Sequence, residues 1–266
     1  MPKKRSATAI LENPTDWGII TKAIRRHHTS PMETIAQLFR IIWAPRRTLY
    51  EISQRPRILA PLVLLTLFAG LETAIVLTKL DPGVLRLKQF ETEGYADQIS
   101  DSDKAIHAQA ARNYRTMVAA FAVTRWLSVV LITGGVFYLF LGVGRGVQLK
   151  AFLSVTAFAF IPAVIHSIAM IVTVLTVEPT SENLERAGAI SPILFMDRAS
   201  VSRTVYQALG MVDAISLWIL ALLIIGYGFV LRDRVSPSAR VSAVVGVYLL
   251  WGLIWVVILP ALASMV

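Results

Sequence analysis

The sequence contains no cysteine in 266 residues, which excludes disulfides, thiolate metal sites and cysteine nucleophiles. Histidine is scarce as well. His27 and His28 follow Arg25 and Arg26 in a basic tail, His107 and His166 fall elsewhere, and no His-Glu-x-x-His run or paired aspartate motif accompanies them. There is no Gly-x-Ser-x-Gly elbow. Gly142, Gly144 and Gly146 lack the strand and the Lys-Ser/Thr pair of a phosphate loop, and read as a tight reversal of the chain. No metal, no cofactor and no catalytic residue is therefore expected, and the chain does not read as an enzyme. Charged residues are only 16% of the composition, too few for a water-facing surface, while hydrophobic residues make up 55% and mean hydropathy is +0.62.

These values describe a membrane protein. Crossing about 30 Å of hydrocarbon takes about 20 apolar residues in a helix. Five stretches qualify: 58–78, 117–143, 151–177, 212–231 and 241–262. The expected fold is all-α, a polytopic membrane protein with five transmembrane helices and an interfacial amphipathic helix before them. Residues 1–31 form a basic tail and residues 32–266 the membrane domain. The apolar piece Ala7 to Leu11 is too short for a signal-peptide core, so no cleavage is expected.

Lys and Arg distribution sets the orientation. Residues 1–57 carry eleven basic and four acidic residues, 144–150 two and none, and 232–240 three and one. The other two connections are balanced or slightly acidic: six of each sign in 79–116, three basic against four acidic in 178–211. Positive-inside bias then places the amino terminus in the cytoplasm and the carboxyl terminus outside, which requires an odd number of spans. The net charge of +9 is accounted for by orientation and anionic-lipid contact, so nucleic acid is not an expected partner.

Ahead of the first span, Ile35, Leu38, Phe39, Ile42 and Trp43 recur at helical spacing, with Glu33, Gln37 and Arg40 opposite. Ser30 and Pro31 start this helix and Pro45 stops it. A membrane-surface position and packing on the protein's own spans are equally consistent with such a face. In the loop after the first span, Asp81-Pro82-Gly83 is a turn, and Ser102 is the expected N-cap of a helix through Tyr114. Ile193 to Met196 reads as an outer lid. Small residues Ala159 and Ala163, Gly226 and Gly228, and Ser242 and Gly246 would let helices approach closely.

Polar groups inside spans are candidates for function, because a charge at a helix centre costs about 2.5–3.5 kcal/mol. Glu72, Arg125 and His166 are such groups; Asp213, at a helix start, reads as a cap. Glu72 and Arg125 lie about 10–12 Å below the same surface at 1.5 Å per residue, so an ion pair between them is expected, with a snorkelling Arg125 as the alternative. Pro162 should kink the third span.

Taken in order, these features resemble the Yip family, the Ypt- or Rab-GTPase-interacting membrane proteins with five spans. The matching residues are Phe39, Pro45, Leu49, Ile52 and Pro56; Lys150 and the run Thr156 to Pro162; Asp213, Leu217, Trp218 and Gly226; and the joint Ser236 to Arg240. The chain lacks the long polar arm and acidic Tyr-Gly-Pro-type element of the trafficking members and is more similar to the bacterial branch. The resemblance implies a non-catalytic protein of a bacterial inner membrane, or alternatively of endoplasmic reticulum or Golgi, that organises membrane lipid or partner proteins. Its partners would be the bilayer, including anionic lipids, and a membrane protein or second copy of itself. A small-solute or ion permease using the polar groups within the spans is the alternative function.

Overall fold

The computed structural model describes residues 31–79, 81, 83–84, 87, 90, 98–177, 191–196, 201–254 and 256; the basic tail and the end of the last expected span lie outside them. All regular structure among the described residues is helical. Helices α1 (Pro31–Trp43) and α2 (Pro45–Gln54) precede the first span, α3 (Leu59–Lys79). Then come α4 (Asp101–Asn113), the second span α5 (Arg115–Phe137) with a π-helical end Tyr138–Gly142, and a third span in two pieces, α6 (Leu149–Ala159) and α7 (Ala163–Thr176). A 3₁₀ turn Pro192–Phe195 and α8 (Arg203–Met211) lead to the fourth span α9 (Ala214–Leu231), followed by α10 (Pro237–Leu253). Among the described residues, four stretches, Leu59–Lys79, Met117–Gly142, Leu149–Thr176 and Ala214–Arg234, are long and apolar enough to cross a membrane, and α10 is a shorter apolar helix. The protein is an all-α polytopic membrane protein.

Local chemistry sets the boundaries. Pro31, Pro45 and Pro237 open their helices, where a missing N–H costs nothing. Pro45 also disfavours helical geometry at Ala44, which has φ −132° and ψ 56°, so α1 and α2 are separate helices. The sequence reading stopped at Pro45 and missed α2. Ser100, not Ser102, caps α4 by accepting from Asp103 N at 3.2 Å; the Ser102 hydroxyl instead pairs with that of Ser100. Gly144 and Gly146, with φ +73° and +63°, turn the chain between the second and third spans in a conformation that costs other residues more.

The packing centre joins the second, third and fourth spans. Thr156 Oγ1 donates to the Phe152 carbonyl at 2.7 Å and therefore accepts from the Tyr227 hydroxyl, also at 2.7 Å. Phe137 and Phe152 rings lie 5.0 Å from that of Tyr227, and all four side chains are buried. Small residues allow this approach. A Cβ at Gly134 would meet Leu153 Cδ2 at 2.8 Å, and one at Gly226 would overlap Val155 Cγ1 and press on Leu49. Gly246 faces no neighbour among the described residues, so the expected close contact at Ser242 and Gly246 is not formed there.

Helix α2 enters this arrangement as a wedge. Thr48, Leu49 and Ile52 are buried against α6 and α9, and Tyr50 packs edge-on to Phe229. Arg232 Nη2 donates to Gln54 Oε1 at 3.3 Å, and Arg234 Nη1 to the Gly146 carbonyl at 3.2 Å. These contacts collect the arm, the turn after the second span and the joint before α10 at one end of the bundle. The basic segments thus share an end. At the other, Arg112 holds Asp81 through contacts of 3.0–3.1 Å, while Asp81 Oδ1 accepts from Gly83 N at 2.7 Å.

Two outcomes test this packing. Gly226→Ala should lower thermal stability by about 1–3 kcal/mol through overpacking, with partial recovery in the Val155→Ala double variant, read by unfolding in detergent. The Arg112 hydrogen bond holds the Asp81 carboxyl below its ordinary value. A depressed folded value means the clamp contributes above the unfolded value and is lost as pH falls through the folded one. Amide exchange in 98–113 should therefore speed up only below the usual carboxylate range, and Arg112→Gln should move that onset to higher pH.

Candidate functional site

Two regions carry the polar residues singled out from sequence. The first lies within the spans. Pro162 follows the end of α6, and the chain passes 160–162 through short-range bonds, Ile161 N to Phe158 O, Ala163 N to Phe160 O and Val164 N to Ile161 O, before α7 begins. The third span is thus two helices, and α7 packs along α3. That contact brings Ser167 to Glu72: the buried serine hydroxyl donates to Glu72 Oε2 at 2.6 Å. His166, the preceding residue, is half-buried, and its imidazole makes no hydrogen bond or ion pair with a described residue.

The expected Glu72–Arg125 ion pair is not formed. Arg125 turns instead to its neighbour Trp126, with Cζ 4.9 Å from the ring centroid, a cation–π contact of about 0.5–2 kcal/mol according to desolvation. Matching depths fixed the height of the two residues but not their direction around each helix. Each residue turns a helix by about 100°, and Glu72 faces α7, where a hydroxyl is available. Asp213 stands apart from both, capping α9 by accepting from Ile215 N at 2.8 Å and Ser216 N at 3.0 Å. Among the described residues no group of His, Asp or Glu could hold a metal ion.

The second region is the basic end. The expected single stripe on α1 divides: Leu38 and Ile42 turn toward the bundle together with Ile41, which is 0% exposed, while Ile35, Phe39 and Trp43 turn away, Trp43 at 69% exposure. Met32 joins the outward row. Gln37, placed on the polar side by the sequence, is buried because it bonds to Glu51. Glu51 also accepts from Arg40 at 2.8 Å and Arg47 at 3.2 Å, tying α1 to α2. Beyond α2, residues 56–58 leave helical geometry, and Ser154 satisfies them: Arg57 N donates to Ser154 Oγ at 2.8 Å and Ser154 Oγ donates to Arg57 O at 2.7 Å. The Arg57 guanidinium reaches Thr34 of α1.

Sequence reasoning missed Ser154, Thr156 and Ser167 because hydroxyls in apolar spans do not disturb hydropathy. The available signal was the need for donors near Glu72 and near the chain breaks at Pro56 and Pro162. A double-mutant cycle tests the assignment. Glu72→Gln and Ser167→Ala should be coupled by about 0.6 kcal/mol, up to about 1.7, whereas Glu72→Gln and Arg125→Gln should add. The measurement is unfolding in detergent micelles.

Over residues 39–261 the chain matches the family model for the Yip1 domain. No curated protein and no solved structure matches it. The matched stretch begins inside α1 and takes in the wedge α2, both halves of the third span, the α9 cap and the described part of α10, and with most of its length covered the chain belongs to the Yip1-domain family.

Proposed function

We propose that this protein is a non-catalytic organiser of membrane lipid or partner proteins, with its basic end toward the cytoplasm of a bacterial cell and α1 lying in the membrane interface. The observation that carries the reading is the division of α1. An ordinary core-packing helix buries its whole apolar face, but here Leu38 and Ile41 are buried while Met32, Ile35, Phe39 and Trp43 form an exposed apolar row. Arg46, Arg47 and Arg55 are exposed on the same end, as are Arg145, Lys150, Arg232 and Arg234. Each basic residue near an anionic leaflet adds about 1 kcal/mol of attraction. An apolar row beside such a basic surface fits an interfacial helix.

Trp43 reports on it. In a chain whose other tryptophans are replaced by Phe, shallow-quencher lipids should quench Trp43, and aqueous iodide should not. Strong iodide quenching with no effect of the lipid quenchers would rule the placement out.

The break at Pro162, with Glu72 and Ser167 just beyond it, favours a second reading, a small-solute or ion permease. Flux into proteoliposomes that is lost in Glu72→Gln would support it over the first.

A further inference from the structure

Arg240 stands in the first turn of α10, one turn before the fully buried Val244, so it shares the face that α10 turns to α9. Its guanidinium rests on Gly228: a Cβ on that glycine would lie 3.0 Å from Nη1 and 3.1 Å from Cζ. Nε is sealed from solvent without a partner, and no hydrogen bond or ion pair joins this guanidinium to a described residue. A snorkelling arginine lays its stem on apolar surface and keeps its head in water. Here part of the head itself is covered.

The surroundings add to the positive charge. Arg232 and Arg234 give their N–H groups to neutral acceptors, Gln54 and the Gly146 carbonyl. The first turn of α10 contains no acid, although a helix amino terminus carries about half a positive charge. Asp233 is exposed and forms no ion pair with a described residue. Partly buried charge is expensive unless an opposite charge and hydrogen bonds complete it, and the described residues supply neither.

Position points to the missing anion. Gly228 lies three residues before the end of α9, about 4.5 Å inside the span at 1.5 Å per residue, near the level where lipid headgroups meet the hydrocarbon. Beside Arg240, Val241, Val245 and Leu249 form an exposed apolar row along α10. We propose that Arg240, seated on Gly228, binds the headgroup phosphate of an anionic lipid whose acyl chain lies along Val241, Val245 and Leu249. The proposal rests on reading the basic end as lipid-facing, and gives that surface a specific site.

The test uses the full chain in detergent, titrated with dioleoyl phosphatidylglycerol, dioleoyl phosphatidylcholine or glycerol phosphate and read by native mass spectrometry. Wild type should hold one phosphatidylglycerol about five- to tenfold more tightly than Arg240→Gln, with phosphatidylcholine binding equal in the two. Arg240→Lys should retain part of the preference as a point charge without the planar fork. Gly228→Ala keeps every charge but displaces the guanidinium, so it too should weaken phosphatidylglycerol binding, and it serves if Arg240→Gln does not fold. Equal phosphatidylglycerol affinity in wild type and in folded Arg240→Gln or Gly228→Ala would overturn the site. Competition by glycerol phosphate as effective as that by the lipid would overturn its assignment to lipid. Two outcomes separate the readings: a phosphatidylglycerol preference that persists in a Phe39→Ser/Trp43→Ser variant supports the site independently of α1, and failure of lipid quenchers to reach Trp43 in a chain that keeps the Arg240 preference would sink the α1 placement alone.

Discussion

Hydrocarbon offers no hydrogen-bond partner to a free backbone group, so every interruption of a helix at membrane depth must be satisfied from within the protein. Arg57 and Ser154 meet this requirement at the entry to the first span. Pro56 cannot donate, and residues 56–58 are outside any helix; one serine answers with both its oxygen and its proton. The same pair fixes a long-range contact, because residue 57 leads into the first span and residue 154 belongs to the third. Once the chain is tied there, α2 has to run alongside α6 and α9, and α1 follows it onto the same end through Glu51 and through the reach of Arg57 to Thr34.

The break in the third span meets the requirement by another route. Ile161, Ala163 and Val164 donate three residues back, which tightens the turn and redirects the helix. The half before the break is largely buried, with Phe152, Val155, Ala157, Phe158 and Ala159 all fully covered, and it forms the centre with Tyr227. The half after it leans on α3, and this leaning is what presents Ser167 to Glu72. Without the break, a straight helix would continue the direction of α6. The intramembrane acid Glu72 therefore has its donor because of a proline five residues before Ser167 in the partner span.

Much of this architecture was legible in the sequence. Long apolar runs marked the spans, because hydropathy summed over about 20 residues is a strong signal. A carboxylate before a helix marked the Asp213 cap, and alternating glycines marked the turn at 144–146. The rest turned on direction around a helix axis or on single hydroxyls, and neither leaves a pattern. Helix α2 was hidden because its buried residues, Thr48, Leu49 and Ile52, are interleaved with Arg46, Arg47, Glu51 and Arg55. Its polar residues meet one another and the bundle end, so a segment that looks like a charged linker becomes part of the core. Glu72 and Arg125 show the complementary failure: matching positions along the spans say nothing of facing, and each residue turns to another partner.

The two ends of the molecule handle charge in opposite ways, and the contrast bears on function. At the acidic-balanced end, Asp81 and Arg112 neutralise each other in a bidentate pair, and Lys104 pairs with Asp101. At the basic end Glu51 is shared by Arg40 and Arg47, and it is used to join α1 to α2. Arg232 and Arg234 settle for neutral oxygens, and Arg240 lies against a glycine. Exposed ion pairs contribute little to stability, so this imbalance is not needed to hold the fold together. Its effect is a surface with an excess of positive charge, bordered by the outward apolar row of α1. A surface of that kind is costly to leave without counter-charge and favourable against an anionic leaflet.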